Sequence, residues 1–183
     1  RDNHLNPDIV SKRVREVIDM VRSNRDTALA AIAAPAAVET YWIAQCAATC
    51  VLSVVLGDFL KLPPHLMVEL GASAILHKIG FTRLPPALYT AARRLTEHER
   101  KSLAAYPILG YRVLRGFGVN ENIALGVLEH QERCDGSGYP RGLRGDNISV
   151  YARIVGVAGS YTAIVSRRPY REGADGHAGI MDL

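Results

Sequence analysis

The sequence predicts an all-α fold. Apolar residues recur at three- and four-residue spacing along most of the chain, no segment sustains the alternation of a half-buried strand, and prolines and capping residues punctuate the helical stretches. The 183 residues are 48% hydrophobic and 22% charged, a balance that fits one globular domain with a sizeable core. It excludes a chain disordered throughout, a collagen-like repeat and a disulfide-dense scaffold. A net charge of +4 favours an anionic ligand but is too small to argue for nucleic acid.

Val14, Val17, Ile18 and Val21 carry the first helix, with Arg13, Arg15, Glu16, Arg22 and Arg25 on its other faces. Asn24–Asp26 reads as a break with capping residues, and the alanine-rich stretch Thr27–Ala34 stops at Pro35. A long apolar helix follows from about Ala36 to Leu60. Pro63 and Pro64 suit a first turn, and Leu66, Met67, Leu70, Ala74 and Ile75 form the buried stripe of a helix ending near Gly80. Leu84-Pro85-Pro86 opens a short helix to about Arg93. Thr96 and Glu99 form a capping box and start a helix to about Arg115, with Leu103, Tyr106, Leu109, Gly110 and Leu114 inward. Asn120 caps a helix from Glu121 to about Arg133, burying Ile123, Ala124, Val127 and Leu128. The glycine-rich stretch Cys134–Asn147, with Pro140, is a loop. Val150 to about Ser166 is the last helix, and the glycine-bearing tail from Glu172 frays.

Three cysteines, Cys46, Cys50 and Cys134, make an odd set without framework spacing. With no secretory pattern, they point to a cytoplasmic setting. Cys46 and Cys50 share a helix face as small core residues; a metal pair lacks a companion at zinc-site spacing. The most apolar run, Ile43–Leu60, is interrupted by Gln45, Ser53 and Asp58 and reads as too short to span a bilayer. The chain begins at Arg1 and reads as a piece of a longer protein.

The segment His130-Gln131-Glu132-Arg133-Cys134-Asp135-Gly136-Ser137-Gly138-Tyr139-Pro140-Arg141-Gly142-Leu143 resembles the signature loop of the HD-GYP family, bacterial phosphodiesterases of cyclic di-GMP. The resemblance continues on both sides. Tyr151-Ala152-Arg153-Ile154-Val155 is similar to the family's ARIV helix, and Ser166-Arg167-Arg168-Pro169-Tyr170-Arg171 to its RPYR ending. Leu76-His77-Lys78-Ile79-Gly80-Phe81 stands where the family has LHDIGK. The resemblance implies an HD-superfamily helical bundle with a GYP loop over residues 36–171. Residues 1–35 then form an N-terminal helical arm, and 172–183 a disordered or truncated tail.

Phosphodiester hydrolysis in such a family uses water activated on two or more metal ions, and those ions need several His and Asp ligands on facing helices. At the corresponding positions this sequence differs. The resemblance puts Gln45 at the family's early His and Tyr41 at the acidic ligand a turn before it. His77-Lys78 replaces the HD pair, Phe81 the lysine that follows, and Tyr106 the His before Pro107. His130-Gln131 stands for a double His, and Gly159 for the Asp of a VAD motif. His77 and His130 remain as residual ligand candidates; His77 reads equally as a hydrogen-bonded core histidine, and His130, beside polar Gln131 and Glu132, reads more as a residue lining a cleft. No metal is therefore expected; if one binds, it is Fe or Mn at low occupancy. Lys78 is expected to replace the metal's charge, because two unit charges ~4 Å apart repel by ~4 kcal/mol at an effective dielectric of 20, and a dication doubles that.

The substrate side is better kept. The resemblance assigns Arg168 and Arg171 to the ligand phosphates, a role suited to the guanidinium fork; otherwise they form a solvated cluster. Tyr139 stacks on a guanine or packs on its own loop, and Gly136 and Gly138 supply backbone conformations closed to other residues. The family also links Gly138-Tyr139-Pro140 with docking to diguanylate cyclase domains. The reading that results is a catalytically degenerate domain, acting as a cyclic di-GMP receptor or a docking module. One alternative is a slow metal-dependent phosphodiesterase around His77 and His130, helped by Glu129, Glu132 or Asp135. Another is a purely structural regulatory domain. Neither membrane insertion nor nucleic-acid binding is expected.

Overall fold

In the computed structural model, which describes residues 5–33, 40–166 and 180, the first helix, α1 (Pro7–Ser23), opens on Asn6. The Asn6 side chain accepts from the amides of Asp8 and Ile9. Asn24 ends α1 and caps α2 (Arg25–Ala30), accepting from Thr27, and a 3-10 turn follows at Ala31–Ala33. The apolar α3 (Tyr41–Phe59) leads to α4 (Pro64–Leu76), which starts on the proline pair as expected. A 3-10 turn (Ile79–Arg83) and the short α5 (Pro86–Tyr89) connect to α6 (Glu97–Leu103), opened by the Thr96–Glu99 capping box. Then come α7 (Tyr106–Gly116), α8 (Glu121–Glu129) and α9 (Val150–Val165), the last two capped by Asn120 and Ser149. Among the described residues there is no strand, only an isolated bridge from Asp135 to Arg144. The fold is all-α.

α3 is the central helix, packed against α1, α4 and α9, while α8 lies between α4, α7 and α9. Val14, Ile18 and Val21 of α1 enter the same core as Cys50, Val54, Met67, Leu70 and Val155. A second cluster, Leu76, Leu114, Val119, Ala124 and Val127, ties α7 and α8 to the end of α4. Cys46 and Cys50 are buried, and burial pushes their thiols up to about 11 and about 12, so both stay protonated.

Several boundaries differ from expectation. α4 stops at Leu76, with His77 as its C-terminal cap, because the chain tightens into the 3-10 turn before Gly80. The single helix expected from Thr96 to Arg115 is two: Pro107 lacks the amide that would continue α6, so the chain breaks at Ala104–Ala105 and restarts as α7. α5 ends at Tyr89 and α8 at Glu129, both short of expectation, and residues 36–39 lie outside the described segments. The reading of Ile43–Leu60 also needs correction. α3, at 19 residues, is long and apolar enough by length and composition to cross a membrane; half of that stretch is buried against its neighbours, which accounts for the composition.

Candidate functional site

Two helix ends face each other at the centre of the site. His77 caps α4 and His130 caps α8; both are buried, and their rings meet edge to face with centroids 5.1 Å apart. Each ring is fixed by its own helix. His77 Nδ1 donates to the Ala74 carbonyl at 2.6 Å and His130 Nδ1 to the Val127 carbonyl at 2.7 Å, which leaves both Nε2 atoms as acceptors. Burial is the main reason both imidazoles stay neutral: it holds His77 well below 6.5 and brings His130 down to about 4, with Lys78 lowering both further.

The replaced positions converge here. Tyr106, at the start of α7, donates its hydroxyl to His130 Nε2 at 2.6 Å and accepts from Gln131 Nε2 at 2.8 Å. Burial pushes the Tyr106 phenol well above 10, so it remains a donor. Lys78 Nζ donates to Gln45 Oε1, and Gln45 Nε2 donates to the Gly159 carbonyl at 3.3 Å, joining the turn after α4 to α3 and α9. A Cβ on Gly159 would lie 4.0 Å from His77 Nε2, so that backbone borders the free nitrogen of His77. Tyr106 is delivered by close approach: a Cβ on Gly80 would fall within 3 Å of the Tyr106 carbonyl and the Gly110 nitrogen, so only glycine lets the 3-10 turn lie on α7.

These side chains line a cavity of about 550 Å³ that also takes in Phe81, Arg100 and Tyr139. Tyr41, expected at a ligand position, lies one turn away on α3 and does not line this cavity. Tyr139 is half-buried and faces the cavity rather than standing out as an exposed anchor.

The loop beyond α8 is held from below. Buried Glu129 accepts from Arg141 at 2.7 Å and from the Ser149 amide at 2.9 Å. Glu132 accepts from the amides of Arg141 and Leu143, and Asp135 from Ser137. All three carboxylates, considered as helpers of a metal, instead scaffold the loop. Gly136 has the expected left-handed conformation, φ +83°. Gly138 does not; it is required because any side chain would collide with the backbone of Glu132 and Arg133. Arg168 and Arg171 lie outside the described residues.

Sequence reasoning missed Trp42, Tyr89 and Arg100, which gather around the same place. Trp42 and Gln45 are three apart on α3 and therefore share a face, the one signal that would have linked them.

A protein-family model described as HD domain matches residues 6–183. The chain belongs to the HD domain family. This HD domain is 36% identical over 143 residues to the cyclic di-GMP phosphodiesterase PdeB of Borreliella burgdorferi, covering 78% of the chain and 38% of that relative. It is 30% identical over 177 residues to a cyclic di-GMP phosphodiesterase of Pseudomonas aeruginosa, covering 94% of the chain and 43% of that relative. The chain thus spans about two fifths of the length of these curated relatives. Its fold matches that of a HDG"Y"P protein from Bdellovibrio bacteriovorus with a TM-score of 0.81 at 18% identity, over 97% of this chain and 58% of the other. With its glycine loop in place, this HD domain is of the HD-GYP type.

The side chains present do not fit the metal centre that the resemblance implies. A ligating imidazole must turn a lone pair to the ion, and His130 has both nitrogens engaged. Lys78 brings an ammonium to the carboxylate position, and Glu129 turns to Arg141 and Ser149. Among the described residues no three His, Cys, Asp or Glu side chains converge as a ligand set.

Proposed function

We propose that this HD domain is a catalytically degenerate member of a cyclic di-GMP signalling family and acts as a receptor for the dinucleotide. One observation carries the reading. Where hydrolysis would need carboxylates and open imidazoles, Lys78, Gln45, Tyr106 and Gln131 form hydrogen-bonded pairs among themselves and with His130. That arrangement holds a fixed positive charge and neutral donors, which suit a phosphate oxygen, and among the described residues no set of three ligands is at hand to hold a metal that would generate a hydroxide nucleophile. The relatives named as cyclic di-GMP phosphodiesterases support the choice of ligand. Tyr139, half-buried in the cavity lining, adds an aromatic face for a base.

The test is a calorimetric titration of the chain with cyclic di-GMP without metal, alongside a hydrolysis assay with added Mn(II) or Fe(II). Saturable binding without turnover, weakened at least about tenfold in Lys78→Ala, is the expected result; that loss corresponds to roughly 1.4 kcal/mol. Metal-stimulated hydrolysis by the wild-type chain would overturn the degenerate reading. Absence of heat at roughly 100 μM protein would place any dissociation constant near millimolar or weaker and end the receptor reading.

A further inference from the structure

Beside the His77–His130 cavity lies a second, larger one of about 710 Å³. The two share Gln45, Lys78, Phe81, Arg100 and Leu103 in their walls. The lining chemistry sets the second apart. Phe81 and Tyr89 stack with centroids 4.9 Å and planes 10° apart, and Trp42 meets both at steep angles with centroids 6.1 and 6.0 Å away. Phe81 is buried, whereas Trp42 and Tyr89 are half-buried and line the cavity. Lys78, Arg93, Arg94 and Arg100 supply its charge, and among the described residues no Asp or Glu lines it. Arg93 donates to Glu99 through its two terminal guanidinium nitrogens, Nη1 and Nη2, which fixes that wall; Arg94 and Arg100 are exposed.

An aromatic cluster alone would be packing that ties α5 to α3. Here half-buried tryptophan and tyrosine leave ring surface on an open cavity, and four cations surround it. That pairing suits a ligand that is flat and aromatic at one end and anionic at the other, because bases stack on aromatic rings and phosphates pair with guanidinium groups. A quaternary ammonium, which aromatic clusters also accept, would be repelled by the same cations.

We infer that this cavity is a stacking subsite for the base of a purine nucleotide, with the base against Trp42 and Tyr89 and its phosphate between Lys78 and Arg100. The inference deepens the receptor reading and rests on it for the identity of the nucleotide. One base of cyclic di-GMP enters here, and the adjoining phosphate lies on the wall that the two cavities share.

Trp42 is the only tryptophan in the sequence, so its emission reports directly on the subsite. The chain is titrated with cyclic di-GMP and, separately, with 5′-GMP, each followed by calorimetry and by tryptophan fluorescence. Saturable quenching by both nucleotides, with the midpoint of the heat, is expected. Tyr89→Leu keeps the reporter and weakens binding roughly tenfold, the loss of one stacking partner. Arg100→Gln, at an exposed position, gives a similar loss and serves as the second variant if Tyr89→Leu does not fold. Saturable heat from cyclic di-GMP with unchanged Trp42 emission and undiminished affinity in both variants overturns the subsite while the receptor reading stands. Quenching by 5′-GMP with no response to cyclic di-GMP supports the subsite and overturns the receptor reading. No response to either nucleotide overturns both.

Discussion

Gly80→Ala tests how the site is assembled. The 3-10 turn at Ile79–Arg83 lies directly on the first turn of α7, and a Cβ at position 80 would fall within 3 Å of three backbone atoms: the carbonyl oxygen and carbon of Tyr106 and the nitrogen of Gly110. Backbone cannot rotate aside as a side chain can, so the two segments must separate by on the order of 1 Å, an overpacking that costs about 1–3 kcal/mol. For a chain of this size each kcal/mol lowers Tm by roughly 2–4 °C. The same movement carries Tyr106 away from His130 and Gln131, whose bonds of 2.6 and 2.8 Å tolerate little displacement. Thermal unfolding gives the first readout, and the His130 imidazole nitrogen resonances give the second. Gly116→Ala is the control: nothing lies within 4 Å of a Cβ there, so it leaves Tm unchanged or raises it slightly through helix propensity. A Gly80→Ala chain that melts within a degree of wild type, with unaltered His130 resonances, would refute the argument.

Three further outcomes are expected. Tyr106→Phe strips buried His130 Nε2 of its donor and should cost about 1–3 kcal/mol, read as a lower urea midpoint at unchanged slope. Acidification should destabilise the fold. His130 titrates near 4 when folded and near 6.5 when unfolded, so the unfolded chain takes up the proton first; stability is intact above about 6.5 and falls by roughly 3 kcal/mol as pH drops toward 4. His77, held below its ordinary value for the same reason, adds to that loss, and a flat profile of unfolding free energy from pH 7 to pH 4 would contradict the account. Glu129→Ala removes the acceptor of both Arg141 and the Ser149 amide, so trypsin should cut after Arg141 several-fold faster; an unchanged cutting rate would show that the loop is held by other means.

Local signals were readable in the sequence where a single turn of chain decides the structure. The capping box at Thr96, the cap at Asn120 and the proline start of α4 all appear where spacing places them. The break at Ala104–Ala105 was obscured because the apolar stripe runs through it, and only Pro107 marks the missing hydrogen bond. The HD-type resemblance located His77, His130 and the replaced positions around them. It could not give the bond from Lys78 to Gln45, whose partners are 33 residues apart, because a glutamine has no preferred long-range partner until the fold presents one. The Trp42–Phe81–Tyr89 cluster was hidden for the same reason: its rings come from α3, the Ile79–Arg83 turn and α5, and only the folded chain brings them together.

Gln131 has two attachments that lie in different parts of the molecule. Its carbonyl accepts from the Tyr139 amide in the glycine loop, and its side chain donates to Tyr106 in the cavity lining. A protein that grips the loop and moves Tyr139 therefore pulls on the same residue that orders Tyr106 and His130. Communication of this kind runs both ways with equal strength: if filling the cavity changes the loop's affinity for a partner by some factor, the partner changes the cavity's affinity by that factor. A chain that only binds would then still transmit a message, using Gln131 as its lever.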